Sequence, residues 1–189
     1  MSKLAFQYNS MRLLTIALFF VLSLNSCRED DINDTIKECK NINEHLTSYQ
    51  QKTIDLPAQS TEGGSVTFYS KDEKLAMVRA VYYGESARSD ARYYFKDDNL
   101  ISVIQEEYTY NRPIYVTEER AKADGDSTWY DDSKTVRTTN RYYFYDGDMV
   151  KWIDKDNKEI PESNKKYRLQ AAILFKDAEK IKKMMAGVK

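Results

Sequence analysis

The chain contains one motif twice, and that repetition constrains its fold more than any other feature. Arg92–Ile104 reads RYYFKDDNLISVI and Arg141–Ile153 reads RYYFYDGDMVKWI. Both open on Arg-Tyr-Tyr-Phe, carry an Asp after one further residue and close on Ile. A looser copy, Phe68–Val78 (FYSKDEKLAMV), precedes them. Aromatic and β-branched runs on either side of a short polar cluster read as strand, tight turn, strand. Asp146-Gly147 is a strong two-residue turn signal. The middle of the chain is therefore expected to be three hairpins. Their spacing is irregular, which argues against a regular solenoid.

Further strands follow from the same reasoning. Thr53–Leu56 reads as a short strand stopped by Pro57, and Gln59–Gly64 as turn. Ser65–Ser70 and Leu75–Tyr83 flank the first tip. Gly84–Ala91 is polar and reads as a connection, before strands Arg92–Lys96 and Leu100–Tyr110. Asn111-Arg112-Pro113 breaks the pattern. Thr117 is placed to cap a short helix that ends near Gly125. Asp124–Lys134 is polar, with Trp129 and Tyr130 embedded in it. Thr135–Tyr145 returns to strand, and Asp154–Ser163 is a second polar connection.

Helices are expected at both ends. Ile32, Ile36, Cys39, Ile42, Leu46 and Tyr49 recur on one helical face, with Asp31 or Asn33 as cap. Tyr167, Ala171, Leu174, Ala178, Ile181 and Met185 define a second face. From Glu162 onward there are eight Lys or Arg and three Asp or Glu, so the exposed side of that helix is basic. Such a helix can lie on a membrane surface, but its stripe has the length a sheet needs as cover. The expected architecture is α+β: a meandering antiparallel sheet of about six or seven strands, with an N-terminal and a C-terminal helix packed on it.

The first residues read as an address rather than as fold. Lys3 and Arg12 precede Leu13–Leu24, a twelve-residue apolar run, with Met11 as an alternative start. That run is short for a membrane span and right for a signal peptide. Leu24-Asn25-Ser26-Cys27 resembles a bacterial lipobox, in which Cys27 is lipidated and becomes the first mature residue. The expected organisation is residues 1–26 as lipoprotein signal peptide, 27–31 as an acidic tether and 32–189 as one domain. Several acyl chains, each buried CH₂ contributing roughly 0.8 kcal/mol, anchor such a protein stably. The tether, Arg28-Glu29-Asp30-Asp31, resembles the surface-export signal of lipoproteins in Bacteroidetes-type bacteria. Export to the outer membrane is implied, facing either the cell surface or the periplasm.

From Cys27 onward there are 27 basic and 30 acidic side chains, so no basic balance points to nucleic acid. With Cys27 acylated, Cys39 has no partner for an internal disulfide, and its place on the apolar stripe reads as a buried thiol. His45 is the sole histidine, which leaves no second one for a metal site or a triad. Asp146, Asp148, Asp154 and Asp156 offer oxygens but lack the spacing of a calcium loop, and turn formation accounts for them. There is no Gly-rich phosphate loop and no Gly-x-Ser-x-Gly elbow. A carboxylate pair can hydrolyse glycosides, yet nothing selects two of the thirty acidic residues. No cofactor and no metal is implied.

Fifteen tyrosines are the stronger signal. With a plain two-residue turn in the last hairpin, Tyr143 faces Trp152, Tyr145 faces Val150 and Arg141 opposes Asp154. Tyr142, Phe144 and Ile153 then point the other way. Aromatic side chains with polar tips suit core edges, and also stacking on a sugar or a protein partner. Trp129, Tyr130, Tyr143 and Trp152 are the candidate binding surface.

Ser60-Thr61-Glu62-Gly63-Gly64, Val81-Tyr82-Tyr83-Gly84-Glu85, Tyr93-Tyr94-Phe95, Tyr110-Asn111-Arg112-Pro113-Ile114-Tyr115 and Asn140-Arg141-Tyr142-Tyr143-Phe144 together resemble an uncharacterised family of small secreted lipoproteins from Bacteroidetes-type bacteria. The likeness covers most of the chain after Cys27. It implies no activity and no functional residue. The hairpin pattern is also similar to tyrosine-rich modules on bacterial surfaces. The expected function is non-enzymatic: an envelope lipoprotein held to the membrane by the lipid on Cys27, binding a glycan or a protein partner. The alternatives are an envelope-assembly factor acting through Thr117–Lys134 and the basic helix, and a carboxylate-dependent hydrolase.

Overall fold

The computed structural model describes residues 29–57 and 60–187. Cys27, the expected signal peptide and the first part of the expected tether lie outside the described residues. Residues 29–44 are helical (α1), so Glu29–Asp31 belong to a helix rather than to a loose tether, and Asp31 and Asn33 sit inside it rather than capping it. The helix gives way to a 3₁₀ turn at Leu46–Ser48, which takes Leu46 and Tyr49 off the expected stripe. His45 caps nothing with its side chain; its Nδ1 lies 2.9 Å from the carbonyl of Asn41. The described residues fall into two units that divide between Lys40 and Asn41. In the first, Cys39 is buried. The second carries the whole sheet.

That sheet has seven strands: β1 (Gln50–Asp55), β2 (Gly64–Lys71), β3 (Lys74–Tyr83), β4 (Ala87–Lys96), β5 (Asn99–Thr109), β6 (Val136–Tyr145) and β7 (Asp148–Ile153). All pair antiparallel with their neighbours in sequence, in the order β1 to β7. The fold is α+β, a pure meander, as short connections favour, and the one long connection, 110–135, also returns to the neighbouring strand. A short helix, α2 (Glu118–Ala123), lies in the β5–β6 connection, with the Thr117 hydroxyl accepting from the Arg120 N–H at 3.3 Å. The chain ends in α3 (Lys165–Gly187).

The three hairpins share one construction. Their two-residue turns are Asp72-Glu73, Asp97-Asp98 and Asp146-Gly147, and φ is positive at both positions of each: 51° and 62°, 48° and 63°, 49° and 84°. That is the type I′ geometry, whose twist matches the strands it joins. Asp tolerates the left-handed region better than most residues because its short side chain bonds locally. Each hairpin also carries a bulge at the same place. Ser70 pairs with Leu75 but Tyr69 with Met77; Phe95 with Leu100 but Tyr94 with Ser102; Phe144 with Met149 but Tyr143 with Lys151. One extra residue per hairpin (Ala76, Ile101, Val150) therefore stands unpaired on the returning strand.

The bulge corrects the expected register. Trp152 faces Tyr142, Tyr143 faces Lys151 and Arg141 faces Ile153. Tyr143 and Trp152 thus lie on opposite faces of the sheet and form no common surface.

One face is covered by α3. Tyr167, Leu174, Ala178 and Ile181 are buried against Val66, Phe68, Val78, Tyr93, Phe95, Val103, Tyr142 and Phe144. The helix crosses the strands: the Tyr167 hydroxyl donates to the carbonyl of Met149 at 2.9 Å, and Lys182 Nζ donates to the carbonyl of Asp98 at 3.1 Å. Leu174 is fully buried, and a side chain of that size contributes about 1.5–3 kcal/mol through burial. Tyr142, Trp152 and Tyr167 stack into this core, and Trp152 Nε1 donates to Asn140 Oδ1 at 3.2 Å. On the other face Met77, Tyr94, Ser102 and Tyr143 are buried near the turns. There Ile42 is buried too, and the Tyr94 hydroxyl donates to Asn43 Oδ1 at 3.1 Å.

Candidate functional site

The face opposite α3 changes character away from the turns. Across β3 to β6, three successive rows read Arg79, Arg92, Ile104, Arg141; then Val81, Asp90, Glu106, Thr139; then Tyr83, Arg88, Tyr108, Arg137. Alternation puts all twelve on one side, since no bulge interrupts these segments. Five guanidinium groups against two carboxylates leave a net charge of +3.

The ion pairs run diagonally between rows. Arg79 grips Asp90 with two nitrogens, Nη2 at 2.5 Å and Nε at 3.0 Å from Oδ2. Arg92 Nη2 lies 2.8 Å from Glu106 Oε2, and Arg137 Nη1 lies 3.7 Å from Oε1. The Tyr108 hydroxyl donates to Glu106 at 3.0 Å. Arg88 lies over the Tyr108 ring, with its guanidinium carbon 4.0 Å from the centroid, a cation–π contact. Asp90 and Glu106 are buried, and buried carboxylates persist when paired and hydrogen-bonded. Their partners stay open to solvent: the side chains of Arg79 and Arg137 are 46% and 60% exposed, and Tyr83 is 42% exposed. The pair with Asp90 raises the Arg79 pKa further. The Nε groups of Arg88 and Arg92 are buried without a hydrogen-bond partner.

The third row lies at the end of the sheet where β5 leaves for the 110–135 connection, so that insert borders it. Asn111 fastens the insert: its Nδ2 donates to the Trp129 carbonyl at 2.9 Å, and its Oδ1 accepts from the Asp131 N–H at 3.0 Å. The Tyr130 N–H donates to the Val116 carbonyl at 2.8 Å. The Tyr130 ring meets Tyr110 edge-on at 5.4 Å. Its hydroxyl donates to Asp132 at 2.9 Å, a bond that favours the neutral phenol and raises its pKa. Arg112 pairs with Asp126 at 2.6 Å. Amide and hydroxyl bonds from Thr128 lower the Asp126 pKa. Trp129 and Tyr130 are half-buried, and Ile114 and Tyr115 are exposed.

The four aromatic residues singled out from sequence therefore separate. Trp129 and Tyr130 stay in the insert bordering the charged face. Tyr143 is buried near the turns on the face opposite α3, and Trp152 is half-buried on the face that α3 covers, so the two form no common surface. Cys27 lies outside the described residues. Asp154, weighed as a metal ligand, closes its own turn by accepting from the N–H groups of Asp156 and Lys158 at 2.9 and 2.8 Å. Sequence reasoning named none of the twelve residues of the charged face as a site residue, and it took the segment holding Arg88 and Asp90 for a polar connection. The signal was the alternation Arg88, Asp90, Arg92 opposite Ile104, Glu106, Tyr108, which marks a strand with one charged face.

Comparison with protein-family models, curated proteins and solved structures finds no match for this chain. Among the described residues no helix is long and apolar enough to cross a membrane.

Proposed function

We propose that this chain is a lipid-anchored envelope protein whose sheet binds an acidic glycan. The observation that carries the reading is the open arginine–tyrosine face. Guanidinium groups match carboxylate and sulfate oxygens with paired N–H donors, and tyrosine rings lie against sugar faces. Asp90 pairs with Arg79, and Glu106 with Arg92 and Arg137, which reduces the side-chain freedom those three lose on binding. The insert with Trp129 and Tyr130 stands at one end of the face as a wall. The lipid anchor is supported by the Lys3-to-Cys27 pattern alone.

The test is binding of the purified chain to uronate-bearing and neutral polysaccharides of equal length, at 50 and 300 mM salt. Binding confined to the uronate polymer, weakened by salt and lost in Arg137→Ser with Arg88→Ser, is the expected result. Equal binding of both polymers, or capture of an acidic protein with no glycan binding, overturns the reading.

A further inference from the structure

On the other side of the sheet, at the turn end, a cavity of about 570 Å³ opens between β1, the first two hairpin tips and the last turns of α3. Its base is Phe68, Leu75, Phe95 and Met185. The first three are almost wholly buried, at 1%, 7% and 3% exposure. Met185, the half-buried member of the base, comes from the last turns of α3. The volume falls in the range of small-molecule sites, about 300–1,000 Å³.

The mouth is polar and asymmetric. Lys52 stands on edge strand β1 directly opposite Phe68, on the same face. Lys182, from α3, donates to the Asp98 carbonyl at 3.1 Å and to Glu179 at 3.2 Å. Gln50 lines the same edge. Glu73 and Asp98, both in type I′ turns, line the cavity as well. Sugar hydroxyls pressed on two phenylalanines, a leucine and a methionine would be left without partners, at a cost of several kcal/mol each in an apolar setting. A hydrocarbon loses nothing there and leaves water.

We infer that this cavity takes a single-chain anionic amphiphile, its hydrocarbon over Phe68, Leu75, Phe95 and Met185 and its acidic head at Lys52 and Lys182. The head chemistry fits a free fatty carboxylate and a lysolipid phosphate alike. The site is separate from the arginine–tyrosine face and stands or falls independently of it.

The experiment is calorimetric titration of the full chain carrying Cys27→Ser, so that no acyl group of its own competes. The probes are dodecanoate, dodecyl phosphate and dodecanol, all below their aggregation limits. Expected is one molecule bound per chain for both anionic probes. Lys52→Gln with Lys182→Gln weakens those two by about tenfold or more and leaves dodecanol unchanged. Gln50→Trp, an exposed edge position that fills the mouth, removes all three, with the far-ultraviolet spectrum unaltered. Preference for dodecanoate over dodecyl phosphate identifies the fatty acid as source, and the reverse the lysolipid. Absent binding, several molecules per chain, or binding indifferent to Gln50→Trp overturns the inference.

Discussion

Glu106→Gln separates support from recognition on the arginine–tyrosine face, because the two roles respond with opposite sign. Glu106 is buried and serves three groups at once: Arg92, Arg137 and the Tyr108 hydroxyl. Glutamine keeps the shape and one acceptor oxygen but removes the charge. A hydrogen bond to a charged group is worth about 1.5–3 kcal/mol. Arg137 is mostly exposed and Arg92 one-quarter exposed, so solvent screens part of that. The expected loss of stability is about 1–2 kcal/mol, read as a lower urea midpoint with unchanged slope. Binding should move the other way, since the face rises from +3 to +4. For a ligand charge roughly 8 Å away and an effective dielectric of about 40–80, the gain is roughly 0.5–1 kcal/mol. That is about two- to fivefold in affinity for the uronate polymer. Unchanged stability refutes the network as support. A stable variant that binds more weakly refutes the face as an anion site.

Two further outcomes follow from the hairpins and the core. Glu73→Gly places glycine where the third hairpin already has Gly147, at φ 62°; relief of left-handed strain, net of glycine's entropy, should raise stability by up to about 1 kcal/mol in thermal unfolding. Burial pushes the Tyr142 phenol up to about 12, and burial with the nearby Asp177 carboxylate raises that of Tyr93. Above pH of about 10 the unfolded chain releases these protons while the folded chain keeps them. Stability present below that pH should fall by about 1.4 kcal/mol per pH unit for each tyrosine as pH rises toward 12; Tyr142→Phe should flatten the slope by one proton.

Much of the fold was legible because its decisive signals are local. Asp72-Glu73, Asp97-Asp98 and Asp146-Gly147 mark their turns within a few residues, and the strands on either side follow from aromatic and β-branched runs. The stripe from Tyr167 to Met185 marks α3 in the same way, and Thr117 marks α2. Polar strands were harder. The first half of β4 and the start of β1 have the polar composition of a loop, and become strand because neighbours supply ladder bonds and, for β4, opposite charges. Two members of the candidate site, Arg88 and Asp90, lie in that part of the chain; the other ten lie in strands that were legible, but their meeting on one face depends on cross-strand register.

The Arg-Tyr-Tyr-Phe repeat shows where the division falls. From the sequence alone come its existence as a hairpin, the length of its turn and the alternation of its side chains, all properties of a dozen consecutive residues. Which tyrosine meets which partner was decided by a single extra residue per hairpin. Ala76, Ile101 and Val150 bulge out so that Leu75, Leu100 and Met149 reach the face that α3 covers. A bulge has no composition of its own; it forms where the packing of distant elements favours moving a side chain to the other face. The rows of arginine and tyrosine have the same origin. Their members come from four strands spread over more than sixty residues, and only the assembled sheet brings them together as one charged surface.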